Sequence, residues 1–140
     1  GDEIALKAIP ARNYVFVSWS RNGEVISTEA ELVYTMSPLL EGEDSAVFSA
    51  KFKLADVAWT TSVEPSEATG AGCIAFPSSG STVANGKAEF LAVASEGYTF
   101  DHWERNGVSL SKNKLLELDA VVPLTPAETE AVYVAVFTKN

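Results

Sequence analysis

Gly97-Tyr98-Thr99-Phe100-Asp101-His102-Trp103-Glu104-Arg105-Asn106-Gly107 is the stretch whose reading decides the fold, because Asn13-Tyr14-Val15-Phe16-Val17-Ser18-Trp19-Ser20-Arg21-Asn22-Gly23 repeats its pattern 84 residues earlier. Tyrosine, phenylalanine, tryptophan, arginine and glycine all recur at that one offset, and a match of this composition at a fixed shift marks a duplicated unit. In each copy the rings are spaced by two residues and then by three. A strand alternates its side chains with period two, so the wider step implies a bulge between Phe and Trp that keeps Tyr14, Phe16 and Trp19, and likewise Tyr98, Phe100 and Trp103, on one core-facing side. Asn22-Gly23 and Asn106-Gly107 follow, the dipeptide that best accepts positive φ at both centres of a tight hairpin turn.

Working outward, residues 4–9 align with residues 88–93, pairing Leu6 with Phe90 and Ala8 with Ala92 as inward positions of a strand. After the turns, Leu32, Tyr34 and Met36 alternate in the first copy and Leu116, Leu118 and Ala120 in the second, and Pro38 and Pro123 close these strands. Residues 39–45 and 124–130 are acidic connections with room for one helical turn each. The copies end on Phe48/Ala50/Phe52 and Tyr133/Ala135/Phe137, where the offset becomes 85 through one extra residue in the preceding loop. Beyond them, Val132, Val134 and Val136 make the opposite face of the last strand apolar as well, which predicts that this face is covered.

Residues 54–87 have no counterpart ahead of the first copy. Val57, Trp59, Thr61 and Val63 alternate as a strand ended by Pro65, residues 73–76 give a second short strand, and residues 78–81 and 85–86 read as turn material. The expected architecture is mainly β: two tandem small β-sheet repeats, β-grasp-like or β-sandwich-like, with a first repeat at 1–54 truncated at its N-terminus and a complete one at 55–140. The chain opens Gly1-Asp2-Glu3 without an initiating methionine, which suggests a piece of a longer parent protein.

Composition narrows the function. The 140 residues carry a net charge of −9, which disfavours phosphate backbones and anionic lipid, so neither nucleic acid nor membrane insertion is expected. The single cysteine, Cys73, permits no internal disulfide and reads as a core thiol. His102 is the only histidine, and the sequence marks neither a nucleophile nor an orienting partner for it, so no catalytic residues are expected. Metal-ligand spacing is absent; Glu41, Glu43 and Asp44 form a weak calcium candidate at most, and no cofactor motif is present. Flat exposed rings bind sugars and peptides; Trp59, which has no repeat partner, reads first as a core ring and second as an exposed one, and with Tyr133 it makes the weak candidate contact pair. Trp19, Trp103, Phe48, Phe52 and Phe137 are assigned to the repeat cores.

Gly97-Tyr98-Thr99-Phe100-Asp101-His102-Trp103, preceded by residues 88–94 and followed by Val134-Ala135-Val136-Phe137, resembles the divergent InlB B-repeat of bacterial cell-surface and secreted proteins. The first copy departs from it in carrying Asn13 for the glycine and Ala50-Lys51-Phe52 for the closing motif. The resemblance implies small β-rich repeats that serve as spacers or interaction modules outside the cell, with neighbouring repeats of the parent chain as partners and a host or cell-surface protein or glycan as ligand. It implies no active site. A carbohydrate-binding module appended to a secreted enzyme is the alternative.

Overall fold

The structure, a computed structural model, describes residues 1–39, 42 and 44–140. Glu41 and Glu43 of the calcium candidate thus lie outside the described residues. The chain forms two compact units, Gly1–Ala55 and Asp56–Asn140.

Unit 1 contains β1 (Glu3–Lys7), β2 (Tyr14–Arg21), β3 (Glu24–Ser27), β4 (Glu31–Thr35) and β5 (Phe48–Leu54). β1 and β4 pair antiparallel with Leu6 opposite Leu32, and the other three strands form a sheet in the order β3-β2-β5. Unit 2 contains β6 (Asp56–Glu64), α1 (Ser66–Gly70), β7 (Ile74–Phe76), β8 (Ser79–Val83), β9 (Ala88–Val93), β10 (Tyr98–Arg105), β11 (Val108–Ser111), β12 (Leu115–Leu118) and β13 (Ala131–Lys139). Its sheets run β11-β10-β13-β6-β8 and β12-β9-β7. The molecule is mainly β, as the alternation of its segments implied.

The repeat is visible rung by rung. Leu6 faces Leu32 in unit 1 and Phe90 faces Leu116 in unit 2; Phe16 faces Phe52 and Phe100 faces Phe137; Trp19 faces Ala50 and Trp103 faces Ala135. The ladder between the second and last strand of each copy slips by one residue, between Phe16 and Ser18 and between Phe100 and His102. That bulge turns both Phe100 and Trp103 into the core. Each indole then caps the same loop carbonyl, Trp19 Nε1 donating to Ala30 O at 3.1 Å and Trp103 Nε1 to Lys114 O at 3.0 Å. At the hairpins Asn22 and Gly23 adopt φ of 48° and 87°, and Asn106 and Gly107 adopt 52° and 79°.

Unit 2 closes around Phe90. Trp59 meets its ring edge-on at 4.7 Å and Tyr133 stacks on it at 4.7 Å, with Trp103 tilted at 6.1 Å. Such pairs add about 0.5–1.5 kcal/mol each beyond the area they bury. β6 and β13 run parallel through the middle of the sheet, Trp59 opposite Ala131 and Glu64 opposite Val136.

Three readings of the sequence are corrected. Tyr14 and Tyr98 are not core rings: Tyr14 is 45% exposed and Tyr98 half-buried, because each opens its strand at the last rung of the ladder, opposite Leu54 and Lys139. In unit 1 Phe16, Phe48 and Phe52 are only half-buried. Ser79–Val83, assigned in part to turn, is a strand beside β6; its Gly80 leaves room for the Trp59 indole, since a Cβ there would stand 2.5 Å from Trp59 Cζ2.

Candidate interaction surface

Arg105 ends β10 immediately before the Asn106-Gly107 turn, which points its side chain at the loop linking β12 to β13. Glu128 rises from that loop to meet it in a two-pronged pair, Nε to Oε2 and Nη2 to Oε1, both at 2.9 Å. The remaining guanidinium protons go to Val122 O at 2.8 Å, Pro123 O at 3.3 Å and the Tyr133 hydroxyl at 3.2 Å, with the guanidinium carbon 5.6 Å from the centre of the Tyr133 ring. Glu128 Oε1 also accepts from Thr125 N at 2.9 Å. Bidentate pairing of this kind joins charge to fixed geometry. The Arg105 guanidinium holds the Glu128 carboxyl at about 2, below its usual 4.5, and burial pushes the Tyr133 hydroxyl up.

Above this pair lies an open groove of about 280 Å³ whose walls are the apolar side chains of Val108, Leu110, Leu118 and Val122. Val108 and Val122 are well exposed, and Leu110 is 41% exposed. Because the arginine and the glutamate satisfy one another, the groove offers a neighbouring molecule an apolar wall and no spare charge.

The equivalent arginine of unit 1 keeps the chemistry and changes the supplier. Arg21 donates to Ser37 Oγ, to Ser37 O at 3.3 Å and to Pro38 O at 3.4 Å, the positions that correspond to Val122 and Pro123. Its tyrosine is Tyr34 on β4, at 3.3 Å, where unit 2 uses Tyr133 on β13. Sequence reasoning noted the recurring arginine and gave it no role. The signal was there: a charged residue repeated inside an otherwise aromatic motif needs buried acceptors.

Trp59 and Tyr133, the candidate contact pair, do not present faces to solvent. Trp59 is 7% exposed, packed on Phe90 with Nε1 donating to Thr82 Oγ1 at 2.9 Å, and Tyr133 is 1% exposed. Their edge in the alternation places both toward the core, which removes the flat surface that sugar binding by these rings requires. His102 lies between Asp101, 2.5 Å from its Nδ1, and Glu104, 3.0 Å from its Nε2; hydrogen bonds to these two carboxylates raise its pKa above 6.5. Cys73 is buried, with its sulfur 3.3 Å from Ser95 Oγ. Among the described residues no group of three or more His, Cys, Asp or Glu is placed to hold a metal ion, and no helix is long and apolar enough to cross a membrane.

No curated protein and no solved structure matches the chain significantly. The model of the divergent InlB B-repeat domain matches twice, over residues 1–56 and over residues 61–140. Two matches that together span nearly all of a chain whose halves share rungs, bulges and turns leave one assignment: the chain belongs to the divergent InlB B-repeat domain family.

Proposed function

We propose that this chain is a non-catalytic pair of repeats from a bacterial surface or secreted protein, serving as a spacer and as an adhesion or protein-interaction module. The observation that carries this reading is the way polar chemistry is spent: Arg105, Glu128 and Tyr133 satisfy one another at the floor of a groove whose exposed walls are Val108, Leu110 and Val122. An exposed apolar patch of this kind on a small folded unit suits contact with another protein. Its partner is a protein of the host or of a neighbouring cell, and neighbouring repeats of the parent chain set its distance from the surface.

Two measurements test the reading. Antibodies raised against the chain should label intact cells as strongly as permeabilised ones, and labelling only after permeabilisation would refute a surface or secreted location. Beads coated with the chain should adhere to host cells or matrix, and Val108→Asp with Leu110→Asp should abolish adhesion while leaving the unfolding curve intact. Adhesion unchanged by that double substitution would exclude the groove.

A further inference from the structure

In unit 2 the first strand, β6, lies in the middle of the sheet, parallel to β13. Among the described residues of unit 1 no strand takes that place. Its last strand, β5, pairs with β2 on one side and closes the sheet there, and β1 likewise lacks the neighbour that β7 gives to β9. The consequences are visible in both burial and ladder length. Leu6, Leu32, Phe48 and Phe52 are half-buried, whereas their counterparts Phe90, Leu116, Tyr133 and Phe137 are buried. β13 begins at Ala131, paired with Trp59 of β6, whereas β5 begins only at Phe48, two rungs later in the aligned copy.

We propose that the open edge of β5 is a strand-acceptor site, and that its occupant is the leading segment of another repeat of this family, taken in parallel in the register that β6 takes on β13. Unit 2 shows what such an edge receives: an alternating strand whose Val57 and Trp59 point into the core and whose outward residues, Ala58 apart, are polar. Charge singles out this occupant. Transferring the β6–β13 register by the repeat offset of 85 sets the counterpart of Glu64 opposite Lys51, which is exposed on β5, where unit 2 has Val136. The joining point is also preformed. Met36 N donates to Asp2 O at 2.7 Å as Val121 N donates to Gly86 O at 2.8 Å, so Gly1 stands where Asn85 stands, the point at which residues 56–84 join the rest of unit 2. A parallel strand on an exposed edge gains main-chain hydrogen bonds from the ladder and specificity from alternate side chains.

The test uses the full chain in two forms. In the first, a copy of residues 56–84 is joined directly ahead of Gly1; in the second, the unmodified chain is titrated with a synthetic peptide of residues 56–84. Residue-resolved amide exchange should slow at least tenfold over residues 46–53 in the first form, and chemical-shift changes should concentrate there in the second. Trp59→Asp in the added segment should abolish both effects. Lys51→Glu should weaken peptide binding, and a peptide with Glu64→Lys should restore it. Unchanged exchange and shifts over residues 46–53 would overturn the proposal, as would protection that survives Trp59→Asp. Concentration-dependent self-association in which β5 pairs with β5 of a second copy would overturn it.

Discussion

The pair Arg105–Glu128 is the residue-scale feature with the clearest energetic signature, because both side chains are about nine-tenths out of water and each spends its hydrogen-bonding capacity on the other and on nearby main chain. Glu128→Gln leaves a guanidinium facing a neutral amide and is expected to destabilise unit 2 by about 2–3 kcal/mol at neutral pH. The pH dependence has a definite sign. A carboxyl held at about 2 instead of 4.5 contributes fully above 4.5 and loses that contribution as pH falls through about 2, so the gap between the native chain and Glu128→Gln should close over that acid range. Denaturant curves at several pH values measure it, and a gap constant down to the lowest pH would contradict the pairing. His102 behaves in the opposite sense. Its pKa is raised by Asp101 and Glu104, so the stabilisation it brings is complete below 6.5 and disappears as pH rises through the raised value. Proton NMR titration should place His102 above 6.5 in the native chain and nearer to it in Asp101→Asn.

Among the elements, β8 is one that alternation did not reveal. Ser79, Gly80 and Ser81 are small and polar, the composition of a turn, and they form a strand because Trp59 of β6 lies over Gly80 and the edge can be reached only without a side chain. Gly80→Ala would push a methyl into the indole and is expected to cost about 1–3 kcal/mol as overpacking. Gly70→Ala is the companion: nothing stands within 4 Å of its would-be methyl, and it lies in α1, so the substitution should be neutral or stabilising by up to about 1 kcal/mol. Unfolding followed by tryptophan fluorescence compares the two, and equal effects would show that the indole does not dictate the strand. The bulges and the hairpin turns were legible for identifiable reasons. Phe and Trp at a two-then-three spacing announce a bulge, and Asn-Gly demands positive φ. Glu128 was not legible, since one acidic residue in an acidic loop looks like any other until the fold brings an arginine to it. Neither was the choice of Phe90 as the ring that Trp59 meets, which depends on a contact between segments distant in the sequence.

For the whole molecule, the duplication is uneven in depth. Of the buried apolar side chains among the described residues, only Ala8 and Trp19 belong to unit 1, and the rest belong to unit 2. A unit of such size with so few buried groups is marginal by itself. Calorimetry should therefore show two transitions, the earlier one belonging to unit 1. In Trp19→Phe, whose remaining tryptophans both lie in unit 2, fluorescence should follow only the later one. A single transition seen by both probes would show that the halves melt together. The parallel pairing of β6 with β13 has one more consequence. The start of unit 2 and its end are carried by adjacent strands running the same way, so they leave the module at opposite ends of one ladder. Pull on the chain from both sides and the six rungs are loaded together in shear instead of being opened one after another, which makes the arrangement a built-in brake against stretching.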